Sequence, residues 1–170
     1  MKILVVGGGG REHAIIKKLK ENKAVDIIYA LPGNGGIEQD AECVDIGAKD
    51  IEKITEFAAA KDIDFAVVAP DDPLALGAVD ALEAIGIKCF GPNKAAAVIE
   101  SSKVFSKELM KKYRIPTAEY EVFDDMDKAL SYLDTAAIPA VIKADGLALG
   151  KGVVIAETID EAKSAVRSMM

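Results

Sequence analysis

The segment Lys2–Leu19, KILVVGGGGREHAIIKKL, constrains the fold more than any other part of the chain. Ile3–Val6 is a short apolar run, which is typical of a strand that is buried on both faces. Gly7–Gly10 interrupts this run, and from Arg11 onward apolar side chains recur at the spacing of one helix face. The order predicts a strand, a glycine loop and a helix.

Four consecutive glycines between a buried strand and a helix favour a ligand site. A backbone without Cβ atoms can approach a ligand closely and can adopt positive φ. The start of the helix adds unpaired N–H groups and a partial positive charge, which suit an anion such as phosphate. A tight turn that binds nothing is the alternative, and the residues by themselves do not identify the ligand.

Strands and helices continue to alternate up to about residue 90. The predicted strands are 25–31, 42–46, 65–69 and 87–90, and the predicted helices are 51–60 and 74–85. This alternation predicts an α/β fold with an open, mostly parallel, Rossmann-like sheet. Loops 7–10, 32–36 and 69–73 all follow strands, so we expect them to meet at the carboxyl edge of that sheet.

A dinucleotide-binding fold is the second interpretation of this part of the chain. Gly7 and Gly9 match the start of the dinucleotide fingerprint, but Glu12 stands where the fingerprint has glycine or alanine. The second strand ends at Tyr29–Pro32 without the acidic residue that would bind a ribose. Both departures argue against a nicotinamide cofactor.

The character of the sequence changes near residue 100, which predicts domains at 1–100 and 101–170. Residues 93–113 are lysine-rich and helical in pattern, with a helical linker at about 94–114. A small α+β unit is predicted for about 118–170, with a strand at 118–123 and a helix at 124–133. Residues 138–156 predict two antiparallel strands that flank a glycine loop.

The glycine loop between these two strands resembles a phosphate-binding Walker loop but departs from its spacing. Gly146 and Gly150 have three residues between them where four are needed, and a strand follows instead of a helix. A glycine flap over phosphates fits better, and a solvated hairpin is the alternative. Lys143 favours the flap, because alternation places it with Asp145 on one face of an apolar strand, where an ammonium group requires an anion or water.

Composition excludes several classes of function. The net charge of −7 argues against a general nucleic-acid surface, and Cys43 and Cys89 fit no metal-ligand spacing. No signal peptide and no apolar segment of membrane-spanning length is present, so a cytoplasmic protein without a membrane partner is expected. Thr158–Glu161 predicts a capping box that opens a helix, and that helix runs to the last residue without a cap, which indicates a truncated chain.

Several motifs together resemble the phosphoribosylamine–glycine ligase (glycinamide ribonucleotide synthetase) family of ATP-grasp enzymes. They are GGGGREHA at 7–14, LPGNGG at 31–36, PDDPLALG at 70–77, FGPNKAAAVIESSKVFSK at 90–107, RIPTAEY at 114–120 and KADGLALGKGVVIA at 143–156. The resemblance covers essentially the whole chain but only the amino-terminal part of the family's length. It implies a pre-ATP-grasp domain followed by the beginning of an ATP-grasp domain.

The resemblance also implies a reaction and a set of site residues. ATP would phosphorylate the carboxylate of glycine, and the amine of 5-phosphoribosylamine would attack the acyl phosphate. Phosphoribosylamine would bind at Gly8, Gly9, Gly10, Arg11, Gly33, Asn34, Gly35, Gly36 and Asp71, and ATP at Lys103, Lys143, Asp145, Gly146, Gly150, Lys151 and Gly152. Asp71 stands where family members have glutamate. The ligands of Mg²⁺ or Mn²⁺ belong to the later part of the family's length, so no metal ligand and no catalytic residue is assigned here.

Two other classes of protein remain open at this point. One is another ATP-grasp carboxylate–amine ligase, and the other is a stand-alone nucleotide- or phosphate-binding module. As a ligase fragment, residues 1–170 alone would be inactive but would retain weak binding of a ribose 5-phosphate compound. Without nucleotide, residues 146–152 are expected to be mobile. His13 is expected to make a structural hydrogen bond, and the oligomeric state is left undetermined.

Overall fold

The computed structural model describes residues 1–148 and 152–170. The predicted flap residues Gly150 and Lys151 therefore lie outside the described residues. The chain divides into two compact units, Met1–Ser101 and Ser102–Met170.

The first unit is built on a parallel sheet of five strands, all within described residues. Its strands are β1 (Lys2–Gly7), β2 (Ile27–Pro32), β3 (Glu42–Cys43), β4 (Phe65–Val68) and β5 (Lys88–Phe90). Their order across the sheet is β3-β2-β1-β4-β5, and every neighbouring pair is parallel. The predicted open, parallel α/β sheet is confirmed.

Helices cover both faces of this sheet. They are α1 (Gly10–Lys20), α2 (Ile51–Ala60), α3 (Asp71–Leu76), α4 (Ala78–Ala84) and α5 (Lys94–Ser101), with a 3₁₀ turn at Ile37–Gln39. Alternate residues of β1 point to opposite faces, so Leu4 packs with α2 to α5 while Val5 packs with α1 and the 3₁₀ turn. Burial on both faces explains why the strands read as continuous apolar runs.

One helix and one strand of the first unit depart from their predicted bounds. A single helix was predicted over 74–85, but the helical segment begins at Asp71 and breaks at Gly77 into α3 and α4. Gly77 has φ of +92°, a left-handed conformation that ends α3 and that other residues adopt at a cost. The predicted strand 42–46 is also shorter, since only Glu42–Cys43 pairs with β2.

The second unit contains a two-stranded antiparallel sheet with helices on one face. Its elements are α6 (Lys103–Lys112), α7 (Met126–Leu133), β6 (Ala140–Lys143), β7 (Val153–Ala156) and α8 (Ile159–Met169). Helices α7 and α8 pack against the sheet through Leu133, Ala156 and Val166. The predicted antiparallel pair is confirmed, and so is the capping role of Thr158, whose hydroxyl accepts a hydrogen bond from the Glu161 N–H at 3.2 Å.

Two predictions around the second unit are wrong. The helix predicted over 93–113 is interrupted at Ser102, which has extended backbone and caps α6 by accepting a hydrogen bond from the Phe105 N–H at 3.1 Å. The strand predicted at 118–123 is absent from the described structure, because no described strand runs beside it to complete its backbone hydrogen bonds.

None of the described helices is long and apolar enough to cross a membrane.

Candidate functional site

The three predicted loops of the first unit meet at the carboxyl edge of its sheet. Gly7, at the end of β1, lies opposite Pro32 at the end of β2. On the other side of β1, Val6 lies opposite Val68, the last residue of β4. The loops that follow these strands therefore start at the same level of the sheet, which confirms the predicted meeting point.

Asn34 fastens the second loop to the first. Its side-chain Nδ2 donates to the Gly8 carbonyl at 2.6 Å, and the Gly33 N–H donates to the Gly7 carbonyl at 3.2 Å. The Asn34 Oδ1 atom accepts from the N–H groups of Gly36 and Ile37 at 2.8 and 2.9 Å. Both polar atoms of Asn34 are thus engaged within the protein and fix the loop geometry.

Most of the glycine loop is shaped by packing within the protein. A Cβ on Gly8 would lie 2.4 Å from the Gly33 carbonyl oxygen, and a Cβ on Gly7 would lie 2.6 Å from Cγ of Glu12. A Cβ on Gly9 would lie 2.8 Å from the Glu12 Oε2 atom, whereas a Cβ on Gly10 would have no neighbour within 4 Å. Gly7 and Gly8 therefore have a structural reason that does not depend on a ligand, whereas a Cβ on Gly9 would require only that the Glu12 carboxylate shift.

The glycine loop forms one wall of an open cleft of about 700 Å³, a volume typical of small-molecule sites. Gly7–Gly9, Glu12, Pro32, residues 47–50, Pro70, Asp72 and Pro73 line the cleft. Gly8 and Gly9 are predicted site residues that line it. Gly10, Arg11, Asp71 and residues 33–36 belong to the same loops and helix starts but are not among the lining residues.

The lining residues 47–50 were missed by the sequence analysis. This loop follows β3 and precedes α2, so it reaches the same edge of the sheet as the three predicted loops. Because 42–46 is itself a predicted strand of the parallel sheet, the loop that follows it is also expected at the carboxyl edge. Asp50 also gives a local signal, because it caps α2 by accepting from the Lys53 N–H at 3.2 Å.

The charges that line the cleft are mostly negative. Glu12, Asp50 and Asp72 contribute carboxylates, and Lys49 contributes the ammonium group, 3.8 Å from the Asp72 carboxylate. The side chain of Lys53 hydrogen-bonds Asp50 at 2.8 Å and lowers the pKa of that carboxyl. Glu12 is buried, with 4% of its surface exposed.

His13 makes the structural hydrogen bond that the sequence analysis expected. Its Nε2 atom lies 2.8 Å from one oxygen of Asp40, and the Lys20 ammonium group lies 2.8 Å from the other. The hydrogen bonds from Lys20 and His13 lower the pKa of Asp40 to about 2. The cluster ties α1 to the segment that follows the 3₁₀ turn.

In the second unit, Asp145 joins the end of the β6 segment to the start of α6. Its carboxylate accepts hydrogen bonds from the Lys103 N–H at 2.6 Å and from the Ser102 hydroxyl at 3.1 Å. Burial alone would raise the pKa of Asp145, but the N–H groups of Val104, Gly146 and Lys103 and the Ser102 hydroxyl together lower it. Lys103 Nζ in turn donates to the Gly146 carbonyl at 2.6 Å.

Lys143 lies on the exposed face of β6, so the expected cost of placing a lysine in an apolar strand does not arise. Val153 lies opposite it in the ladder, and Val141 and Ile155 share that face with exposed fractions of 53% and 66%. At the described end of the flap, the Gly152 carbonyl accepts a hydrogen bond from the Ala144 N–H at 2.9 Å. The mobility expected for 146–152 stays a prediction.

Two sequence profiles of one family together span the chain. The profile of the phosphoribosylglycinamide synthetase N domain matches residues 1–100, and that of the ATP-grasp (A) domain matches residues 101–170. The chain belongs to the phosphoribosylglycinamide synthetase family. The family resemblance that the motifs indicated is thereby confirmed.

Curated relatives of this family align with the whole chain. A phosphoribosylamine–glycine ligase of Caldanaerobacter subterraneus is 53% identical over 170 residues, which are 100% of this chain and 41% of the relative. One from Pasteurella multocida is 47% identical over 172 residues, covering 100% of this chain and 40% of the relative. The chain thus spans about two fifths of the length of these relatives.

Solved structures confirm the fold. The phosphoribosylamine–glycine ligase of Thermotoga maritima superposes with a TM-score of 0.75 at 30% identity, over 96% of this chain and 38% of that one. The biotin carboxylase domain of the Hydrogenobacter thermophilus 2-oxoglutarate carboxylase gives a TM-score of 0.77 at 20% identity, over 98% of this chain and 39% of that one. The second likeness concerns the fold alone.

Proposed function

We propose that the protein acts as a phosphoribosylamine–glycine ligase of purine biosynthesis. The observation that carries the proposal is the continuous match of both family domains, with 47–53% identity to enzymes that bear this name. In the reaction, an oxygen of the glycine carboxylate attacks the γ-phosphorus of ATP, and ADP leaves. The amine of 5-phosphoribosylamine then attacks the glycyl carbonyl carbon, and phosphate leaves with the original carboxylate oxygen.

Phosphoribosylamine is assigned to the loops at the carboxyl edge of the first sheet. This proposal rests on the cleft beside Gly8 and Gly9 and on the loop that Asn34 holds against it. Arg11 and Gly10 stand at the start of α1, where the guanidinium and free N–H groups suit the phosphate of a ligand that extends beyond the cleft. Gly33, Gly35, Gly36 and Asp71 stay as predicted contacts.

ATP is assigned to the second unit. The exposed ammonium group of Lys143 and the start of α6 at Lys103 would face its phosphates, because phosphoryl transfer requires that the developing negative charge be neutralised. Lys103 is held by the Gly146 carbonyl, so a phosphate would replace that acceptor. Asp145 and Gly146 would act by fixing the start of α6, while Gly150, Lys151 and Gly152 are proposed for the flap.

A divalent metal ion is typical of ATP-grasp enzymes, and we assign none of its ligands to this chain. Among residues 1–148 and 152–170, no group of three or more histidine, cysteine, aspartate or glutamate side chains is placed to hold one. We therefore derive no step through Mg²⁺ or Mn²⁺ from this chain. Cytoplasmic localisation is likewise part of the proposal.

An ADP-release assay tests the proposed function. The protein encoded by the complete reading frame around this sequence would be assayed with ATP, glycine and phosphoribosylamine by a coupled enzyme system. We expect ADP release that requires both glycine and phosphoribosylamine, together with formation of glycinamide ribonucleotide. ADP release with another carboxylate and no response to glycine would instead indicate a different ATP-grasp ligase.

A further inference from the structure

Among the described residues, Glu12 is the charged side chain that is buried. Only one of its two carboxylate oxygens receives a hydrogen bond within the fold. The residue is 4% exposed. Its Oε2 atom accepts a hydrogen bond from the Gly9 N–H at 2.6 Å, which completes the cap at the start of α1. Its Oε1 atom is buried and receives no hydrogen bond from any described residue. A buried carboxylate oxygen without a donor is costly to keep.

The loop is shaped around this carboxylate. Cβ atoms on Gly7 and Gly9 would lie 2.6 Å from Glu12 Cγ and 2.8 Å from Glu12 Oε2. Gly7 therefore needs to be glycine, while a Cβ on Gly9 would force the Glu12 carboxylate to shift. Helix capping accounts for Oε2 alone, because one acceptor satisfies the Gly9 N–H. The second oxygen therefore needs a hydrogen-bond donor that the described residues do not supply.

The position of Glu12 identifies where that donor would come from. Its side chain forms part of the wall of the 700 Å³ cleft, beside Gly8, Pro32 and Pro70. Although Oε1 is covered, the terminal torsion of a glutamate has a broad energy minimum. A small rotation of the carboxylate therefore presents an oxygen to a group in the cleft.

The charges that line the cleft determine which kind of chemical group can bind beside Glu12. Glu12, Asp50 and Asp72 oppose the ammonium group of Lys49, so the lining carries an excess of negative charge. The Gly9 N–H, which an anion at the start of α1 would use, is already bonded to Glu12. A phosphate in this place would be repelled, whereas a hydroxyl or an amine would give Glu12 the hydrogen bond that it lacks.

We propose that Glu12 is a specificity-determining residue that accepts a hydrogen bond from a hydroxyl or amine of the sugar end of the substrate. The phosphate of the same substrate then lies outside this contact. The inference rests on the proposed function for the identity of the substrate. It reverses the expectation that the glycine loop as a whole binds an anion, and it gives that role at most to Gly10 and Arg11.

Substitution of Glu12 by glutamine tests the proposal with the 170-residue chain. Glu12→Gln keeps the size of the side chain and an oxygen for the Gly9 N–H, but it replaces the second acceptor with an NH₂ donor. Binding of ribose 5-phosphate would be measured from the amide NMR shifts of Gly7, Gly9 and residue 12. We expect about tenfold weaker binding or more in the variant, as for loss of a hydrogen bond to a charged group. Glu21→Gln, at the exposed far end of α1, is the matched control and should bind like the unaltered chain.

A second test needs no variant. Ribose and inorganic phosphate are added separately to the unaltered chain, and the same amide NMR shifts are measured. Ribose should shift the same amides, whereas inorganic phosphate, if it binds at Gly10 and Arg11, should leave the Gly7 amide in place. Equal affinity of the variant and the unaltered chain for ribose 5-phosphate would overturn the inference. It would equally be overturned by inorganic phosphate shifting the Gly7 amide, or by ribose 5-phosphate leaving all three amides unmoved. The ADP-release assay reads the proposed ligase activity separately from each of these results.

Discussion

Gly7→Ala should lower the free energy of unfolding of the first unit by about 3 kcal/mol or more. Gly7 has φ of +126°, a conformation that costs an alanine roughly 1–3 kcal/mol. The added Cβ would also lie 2.6 Å from Glu12 Cγ and 2.8 Å from Pro70 Cγ, and such overpacking costs roughly 1–3 kcal/mol more. A loss of this size is a large share of the roughly 5–15 kcal/mol that stabilises a domain.

Gly10→Ala is the matched control in the same loop. A Cβ at this position has no neighbour within 4 Å, and the residue begins α1, so the stability should change by less than about 1 kcal/mol and in the stabilising direction. Urea titrations followed by the amide NMR signals of β1 and β2 would read the first unit alone. If Gly7→Ala proved as stable as Gly10→Ala, the described packing of Glu12 against the loop would be incorrect.

Lys143→Met should reduce kcat/KM for ATP by about 10²–10³-fold in the protein from the complete reading frame. This is the loss typical of removing one charged or hydrogen-bonding group that stabilises a transition state. The fold should be unaffected, since Lys143 is exposed on the outer face of β6 and forms no ion pair within 4.0 Å among the described residues. A steady-state ADP-release assay together with a thermal melt separates the two effects.

The same substitution at Lys128 is the control for Lys143→Met. Lys128 lies in the second unit on α7 and is exposed, so Lys128→Met should leave kcat/KM within about twofold, as is usual for surface changes away from a site. Unchanged activity of Lys143→Met, or equal losses in both variants, would remove Lys143 from the proposed nucleotide site.

The sequence predicted the parts of the fold that periodicity and loop order determine. The buried strand Ile3–Val6 and the order of strands and helices were sufficient to predict the parallel sheet and the meeting of its loops. The break at Gly77 and the break at Ser102 were missed, because helical spacing of apolar residues continues across both positions. A strand was predicted at 118–123 because apolar composition does not reveal whether a partner strand is present.

The candidate site shows a different limit of sequence reasoning. The glycine loop was interpreted as a surface for an anion, since glycines permit close approach and α1 begins there. The structure shows that Gly7 and Gly9 accommodate a buried carboxylate, and this contact depends on how Glu12 folds back over the loop. In the sequence, Glu12 was visible only as a departure from the dinucleotide fingerprint. Its bond to the Gly9 N–H has the spacing of a capping box, but no spacing rule encodes the burial of its second oxygen.

Transfer of a glycine oxygen to phosphate tests whether the protein joins glycine to phosphoribosylamine through a glycyl phosphate, as we propose. Glycine labelled with ¹⁸O in its carboxylate would be turned over with ATP and phosphoribosylamine, and the released phosphate would be analysed by mass spectrometry or ³¹P NMR. Because the carboxylate oxygen that attacks ATP leaves with the phosphate, we predict one ¹⁸O atom in each phosphate released. Phosphate without label, formed at the rate of ADP release, would contradict the account.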